Sequence, residues 1–291
     1  MLKIEMTTKL IELGKLMRLN KPIGTFLLLW PTLTAFVILK EGSPNLALIV
    51  IFCVGTFLMR SAGCVINDFF DKDFDGRVER TKDRPLVTGL VSRSEALMLF
   101  FFLVSLSASL LFWTNRFTVL VAILGLVLSV IYPLTKRFFK IPQLFLGLVF
   151  SWGILMVSAA ELNSLPLSSF IMFSACFFWI LAYDTAYAMS DLEGDLSIGL
   201  NSSAITFGEH SAKLIVLFHL ISLALWTACG ILQKIGLVYY LGILLVLLQI
   251  PFQYQLVKTR NPENCLLTFK RNNWIGISIL LGSFLSYLIE I

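Results

Sequence analysis

Charge is scarce in this sequence. Asp, Glu, Lys and Arg make up 14% of its 291 residues, against roughly 25% in a soluble domain, which excludes a water-exposed globule of ordinary composition. Histidine is rarer still: His210 and His219 are the only two, and neither has an acidic or cysteine partner at ligand spacing, so both read as plain loop and helix residues. The five cysteines (Cys53, Cys64, Cys176, Cys229 and Cys265) form no CxxC pair, and four fall inside apolar runs. A disulfide framework and a zinc site are thereby excluded. No small-residue cleavage site follows the first apolar run, so no cleaved signal peptide is expected.

What is abundant is apolar. Hydrophobic residues reach 57% and mean hydropathy is +0.85, which makes a bilayer the natural solvent. The runs predict spans at 23–39, 46–66, 96–113, 118–134, 144–160, 168–190, 214–232, 237–256 and 274–290, each near the ~20 residues that cross a hydrocarbon core. The expectation is an all-α integral membrane protein of nine transmembrane helices, one domain over residues 1–291. Of the 23 lysines and arginines, all but Lys40, Arg116 and Lys234 fall on one side of this arrangement. By the positive-inside rule that side, with the N-terminus, is cytoplasmic and the C-terminus is outside. The basic excess (formal charge +5) thus reads as topology, not as a nucleic-acid surface, and no obligate protein partner is evident.

Spans two and six run into acidic segments. The first reads Asn67-Asp68-Phe-Phe-Asp71-Lys-Asp73-Phe-Asp75, followed by Arg77, Arg80, Lys82 and Arg84-Pro85. At roughly 100° per residue on a helix, Asn67, Asp71 and Asp75 fall within about 80°, with Asp68 just beyond. In the second, Asp184, Tyr187, Asp191 and Asp195 return to within about 80° of one another if the helix continues through them. Carboxylates crowded near bilayer depth call for a compensating cation. An all-oxygen set with no His or Cys favours Mg²⁺, whose shell is completed by water and substrate phosphate, so two such faces would clamp a diphosphate between metal ions. Asp71 and Asp75 recur as Asp191 and Asp195 120 residues on, which suggests a weak repeat of about 20–140 and 141–256 plus a ninth helix at 274–290.

These two motifs, Asn67-Asp68-x-x-Asp71-x-x-x-Asp75 with Arg84-Pro85-Leu86, and Tyr183-Asp184-Thr185-x-Tyr187-Ala188-x-x-Asp191-x-x-x-Asp195, resemble the paired signatures of the UbiA-type intramembrane prenyltransferases. The flanking runs Arg18 to Pro31, Tyr132 to Arg137 and Asn272 to Gly276 are similar to the branch of that family acting on 4-hydroxybenzoate. The resemblance implies a nine-helix fold whose cavity opens sideways to lipid, in a bacterial cytoplasmic (inner) membrane. It also implies transfer of a polyprenyl group from an isoprenyl diphosphate to the 3-position of 4-hydroxybenzoate, a step of ubiquinone biosynthesis. Asn67, Asp71 and Asp75, with Asp68 beside them, would hold one Mg²⁺, and Asp191 and Asp195 the other. Where the family commonly has Lys-Ser after Gly199, this chain has Asn201-Ser202, so one cationic contact is missing.

Other roles follow from residue chemistry. Asp71 and Asp191 are the expected catalytic carboxylates, Asp191 being placed to polarise the phenol or accept a proton. Arg84, held by Pro85, and Arg77 are expected at the diphosphate, with Tyr187 and Asp184 beside the substrates. Lys136 and Arg137 are expected at the acceptor's carboxylate, which a planar guanidinium suits. Phe69 and Phe70 are placed to shield an allylic cation. Dihydroxynaphthoate, homogentisate, a chlorin or haem are alternative acceptors within the family. A cation-coupled transporter would also use acids at interrupted helices, but near the midplane, whereas here both clusters sit at the inner ends of their spans.

Overall fold

A computed structural model describes residues 2–76 and 81–289, with side chains from Thr7 onward. Among the described residues the chain is all helical: α1 (Leu2–Leu16), α2 (Ile23–Leu39), α3 (Leu46–Asp75), α4 (Arg93–Ser109, continued by a 3₁₀ turn Leu110–Trp113), α5 (Arg116–Thr135), α6 (Gln143–Leu162), α7 (Leu167–Ser190), α8 (Leu192–Ile198), α9 (Ser203–Phe207), α10 (Ser211–Leu232), α11 (Leu237–Val257) and α12 (Pro262–Ile289). Among the described residues eight helical segments are long and apolar enough to cross a membrane, and α2, at 17 residues, is a shorter apolar helix. This is an integral membrane protein.

The helix starts follow from local chemistry. Asn45 caps α3 by accepting from the Ala47 and Leu48 amides, and Ser92 with Glu95 forms a reciprocal capping box on α4. Asn115 caps α5 through Thr118 N–H at 2.8 Å and also donates to the Ala159 carbonyl at 2.7 Å, tying α5 to the end of α6. The last helix begins twelve residues before the span expected at 274. Asn261 accepts from the Glu263 and Asn264 amides, Pro262 takes the first helical position, and within the polar stretch from Lys270 to Asn273, which hides this helix from a hydropathy reading, Asn272 is fully buried while Lys270 and Arg271 are exposed.

Two apolar cores flank a space. The larger joins α2, the start of α3, α6, α7, α10, α11 and α12 around Phe36, Trp179, Trp226 and Tyr239; the smaller joins α1, the rest of α3 and α4 around Leu16, Val65, Leu86 and Phe100. Within the larger core Gly242 lets α11 and α12 meet backbone to backbone: a Cβ there would lie 2.5 Å from the Ser278 carbonyl oxygen. A buried chain of polar groups crosses the same region. Trp179 Nε1 donates to Asn272 Oδ1 at 2.8 Å, Asn272 donates to Gln253 Oε1 at 3.2 Å, and His219 Nε2 lies 3.1 Å from that same oxygen. His219 is thus part of helix packing.

Candidate active site

The space between the two cores is a cavity of about 1410 Å³. Its polar end collects both acidic segments: Asn67, Asp68, Asp71 and Asp75 from α3, and Asp184, Tyr187, Asp191 and Asp195 from α7 and α8, all line it. The two faces expected from sequence therefore look into one chamber. The first is one continuous helix through Asp75. The second is not: α7 stops at Ser190, and Asp191 takes φ −108° and ψ 6° before α8 starts. One-face arithmetic across 184–195 thus fails, although all four side chains still reach the cavity.

The first cluster is held by cations. Lys136 Nζ pairs with Asp71 Oδ2, and Asn67 Nδ2 donates to the same oxygen at 3.1 Å. Arg84 Nη1 donates to Asp75 Oδ2 at 2.6 Å and to Asp68 Oδ1 at 2.8 Å. Burial lowers the proton affinity of Arg84, but Asp68 and Asp75 outweigh it and hold its pKa above the ordinary value, so it is a cation throughout. Asp71 Oδ1 is buried without a hydrogen-bond partner. Such a bare anionic oxygen in a native site wants an ion or a water.

Among the described residues no three His, Cys, Asp or Glu side chains converge at metal-ligating spacing. The donor set still fits Mg²⁺. That ion takes one or two carboxylates and completes its shell with water and phosphate, and Asp71 offers a free buried oxygen facing the cavity that Asp191 and Asp195 also line.

Other expected site residues divide. Lys136 lines the cavity, but Arg137, one residue on, does not: it is exposed, donates from Nη2 to the Phe70 carbonyl at 2.8 Å and lies 5.3 Å from the Phe74 ring centroid. Phe69 and Phe70 pack with the smaller core, while Phe74, Tyr132, Phe150, Tyr183 and Phe269 supply the aromatic lining. Asn201 donates from its backbone N–H and its side-chain amide to the Lys136 carbonyl, at 3.0 and 3.3 Å, steadying that lysine. Arg77 lies outside the described residues.

Two arginines that read as topology signals in the sequence turn inward. Arg18 donates through Nη2 to both oxygens of Asp68, at 2.7 and 2.8 Å; nothing local announces that pairing, 50 positions along the chain. Arg60 lies in the middle of α3 and lines the cavity. It sits 5.8 Å from the Phe150 ring centroid, against Gly24, where a Cβ would come within 2.6 Å of its guanidinium. No carboxylate among the described residues pairs with it. Its spacing could have exposed it: Arg60 precedes Asn67 by seven residues, so both point about the same way from α3.

Away from the carboxylates the cavity becomes more apolar, and its lining includes Ser107 and Ala108 of α4 and Ala122 and Ile123 of α5. Ile123 lines it while remaining 52% exposed, so the channel reaches the lipid-facing surface.

The UbiA prenyltransferase family profile matches residues 28–275. This chain belongs to that family. As a UbiA family member it is similar to a protein of Nitrosospira multiformis named 4-hydroxybenzoate octaprenyltransferase, 46% identical over 98% of both chains. A protein of the same name from Neisseria meningitidis serogroup C is 50% identical, covering 90% of this chain and 88% of that one. Among solved structures, an apo UbiA homolog from Aeropyrum pernix K1 superposes with a TM-score of 0.77 at 25% identity, covering 89% and 97%. A UbiA homolog from Archaeoglobus fulgidus, described as bound to GPP and Mg²⁺, shares the fold with a TM-score of 0.71 at 18% identity, covering 96% and 100%.

Proposed function

We propose that this chain transfers a polyprenyl group from an isoprenyl diphosphate to ring carbon 3 of 4-hydroxybenzoate, a step of ubiquinone biosynthesis, from within the bacterial cytoplasmic membrane. The observation that carries the reading is a single cavity joining two acidic motifs to an apolar channel that reaches lipid. The names of the near full-length relatives support the acceptor. We further propose nine spans, with α2 as the first, a cytoplasmic N-terminus and an external C-terminus, from the one-sided distribution of Lys and Arg. The recurrence of the Asp pairs supports two repeated units.

In this reading the donor's diphosphate lies at the polar end and its chain runs out between α4 and α5. Asn67, Asp71 and Asp75 would hold one Mg²⁺ and Asp191 with Asp195 a second; the ions supply neutralisation of the departing diphosphate. Arg84 and Lys136 add fixed positive charge there, and Arg77 belongs to the same proposal. The allylic C–O bond breaks, its electron pair leaving with the diphosphate. The ring aromatics Tyr132, Phe150, Tyr183 and Tyr187 face the developing cation and exclude water. Carbon 3 of the acceptor forms the new C–C bond and loses its proton, for which Asp191 and Asp184 are the carboxylates at hand.

Arg60, deep in the chamber and in no ion pair with a described carboxylate, is the group we assign to the acceptor's carboxylate. That replaces Arg137, which faces away from the cavity; Lys136 stays with Asp71. The experiment is to give purified protein octaprenyl diphosphate with a panel of aromatic acids and identify the product by mass spectrometry. A 3-prenylated 4-hydroxybenzoate is expected. Product only with dihydroxynaphthoate or homogentisate would overturn the acceptor, and no product with any acid would overturn the function.

A further inference from the structure

We propose that Asp68, although part of the acidic motif, is a positioning residue and not a metal ligand: it holds the guanidinium groups of Arg18 and Arg84 at the cavity mouth to receive the donor's diphosphate. This rests on the prenyl-transfer reading above and adds to it a role for the N-terminal segment.

Two carboxylates of one motif are used in opposite ways. Asp71 keeps a buried oxygen bare. Asp68, 1% exposed, has none to spare: Oδ1 accepts from Arg18 at 2.7 Å and from Arg84 at 2.8 Å, and Oδ2 accepts from Arg18 at 2.8 Å. A metal at Asp68 would have to displace an arginine from a buried carboxylate: Arg18 would lose the one carboxylate it pairs with among the described residues, and Arg84 would keep only Asp75.

The backbone at Arg18 is the independent observation. Arg18 has φ +61° and follows the last turn of α1, where Leu19 N–H bonds back to the Gly14 carbonyl at 3.0 Å. This is the left-handed position after a helix that glycine normally fills, because any Cβ is strained there. An arginine in that place is held by its surroundings, and the hold visible here is the pair with Asp68.

The leftover donors say what the arrangement serves. A guanidinium has five N–H groups in a fixed fork. Arg84 spends Nη1 on Asp68 and Asp75, leaving Nε and Nη2 without a hydrogen bond among the described residues; Arg18 uses Nη1 on the Lys15 carbonyl and Nη2 on Asp68. Both arginines line the cavity beside the acidic motifs. Two oriented forks of this kind match the non-bridging oxygens of a diphosphate.

The test separates an arginine holder from a metal ligand by measuring inorganic pyrophosphate binding calorimetrically, in EDTA and in Mg²⁺, for wild type, Arg18→Ala, Asp68→Asn, the double variant and Asp71→Asn. Without metal, Asp68→Asn and Arg18→Ala should each weaken binding about tenfold, the double variant should be no weaker than either single one, and Asp71→Asn should bind at least as well as wild type. In turnover, Asp68→Asn should raise the donor KM while leaving the Mg²⁺ half-saturation concentration where it is in wild type; Asp68→Glu should recover part of the loss. A Mg²⁺ requirement shifted by Asp68→Asn as much as by Asp71→Asn would overturn the proposal. So would unaltered metal-free pyrophosphate binding in Asp68→Asn, or none in wild type. Absence of prenyl transfer by wild type would instead sink the function alone, because the pyrophosphate result stands without it.

Discussion

Replacing Arg60 by methionine keeps an unbranched stem against Phe150 and removes only the charge. An arginine in the middle of a span costs roughly 2.5–3.5 kcal/mol on insertion scales, and no described carboxylate forms an ion pair with it. The variant should therefore be at least as stable as wild type toward heat in detergent. Catalysis should move the other way. A charge-assisted hydrogen bond to the acceptor's carboxylate contributes about 1.5–3 kcal/mol, which corresponds to roughly a tenfold to 150-fold loss in kcat/KM for 4-hydroxybenzoate. The donor KM should stay near its wild-type value, since Arg60 sits about two helical turns deeper than Asn67 and Asp68. The assay is steady-state prenylation of 4-hydroxybenzoate and of 4-hydroxybenzamide, which has the same shape and no charge. Wild type should prefer the acid strongly, and Arg60→Met should lose that preference. Gly24→Val, which fills the space the guanidinium occupies, should show a weaker version of the same change. An acid-to-amide ratio left intact in Arg60→Met, or a loss confined to the donor KM, would refute the assignment.

Further outcomes follow from the same geometry. Arg137→Ala should reduce stability, because it unties α5 from the Phe70 carbonyl, without raising the acceptor KM selectively; a selective rise would bring Arg137 back to the acceptor. Ala122→Trp, placed in the gap between α4 and α5, should lower kcat/KM for octaprenyl diphosphate by about tenfold or more while sparing dimethylallyl diphosphate; equal losses would mean that the long chain leaves elsewhere. Turnover should vanish in excess EDTA and return with Mg²⁺ or Mn²⁺, as hard oxygen ligands require, and full activity in EDTA would remove the metals from the mechanism.

Much of this was legible because helical membrane segments carry their own hydrogen bonding, so length and apolarity nearly define them. The spans from Ile23 to Val257 lie close to where hydropathy puts them, and the one-face spacing of Asn67, Asp71 and Asp75 survives because α3 continues unbroken to Asp75. What escaped depends on packing. Nothing in Met-Ser-Asp-Leu-Glu marks the break at Asp191, which separates α7 from α8. Lys136 and Arg137 differ by one position, about 100° on a helix, so residue type could not say which turns inward. Arg18 and Arg60 were absorbed into a charge count that orders the loops and ignores helix faces; for Arg60 the seven-residue spacing was there to be used, whereas the reach of Arg18 to Asp68 needs the fold. The start of α12 was hidden because its first turns carry polar and charged residues, several of them exposed, where hydropathy expects a loop.

The central claim is that the two acidic motifs form one diphosphate site. Asp71→Asn removes one charge from the first motif and Asp191→Asn one from the second, each preserving shape. The decisive measurement is the rate of prenylated 4-hydroxybenzoate formation by wild type, both single variants and the double variant, all checked for monodispersity in detergent. Groups that act as a unit are strongly non-additive, so each single variant should lose nearly all activity and the double variant should be scarcely worse than the poorer single one. Multiplied losses in the double variant would mean two independent sites, and near-normal rates in a well-folded Asp71→Asn or Asp191→Asn protein would contradict the account outright.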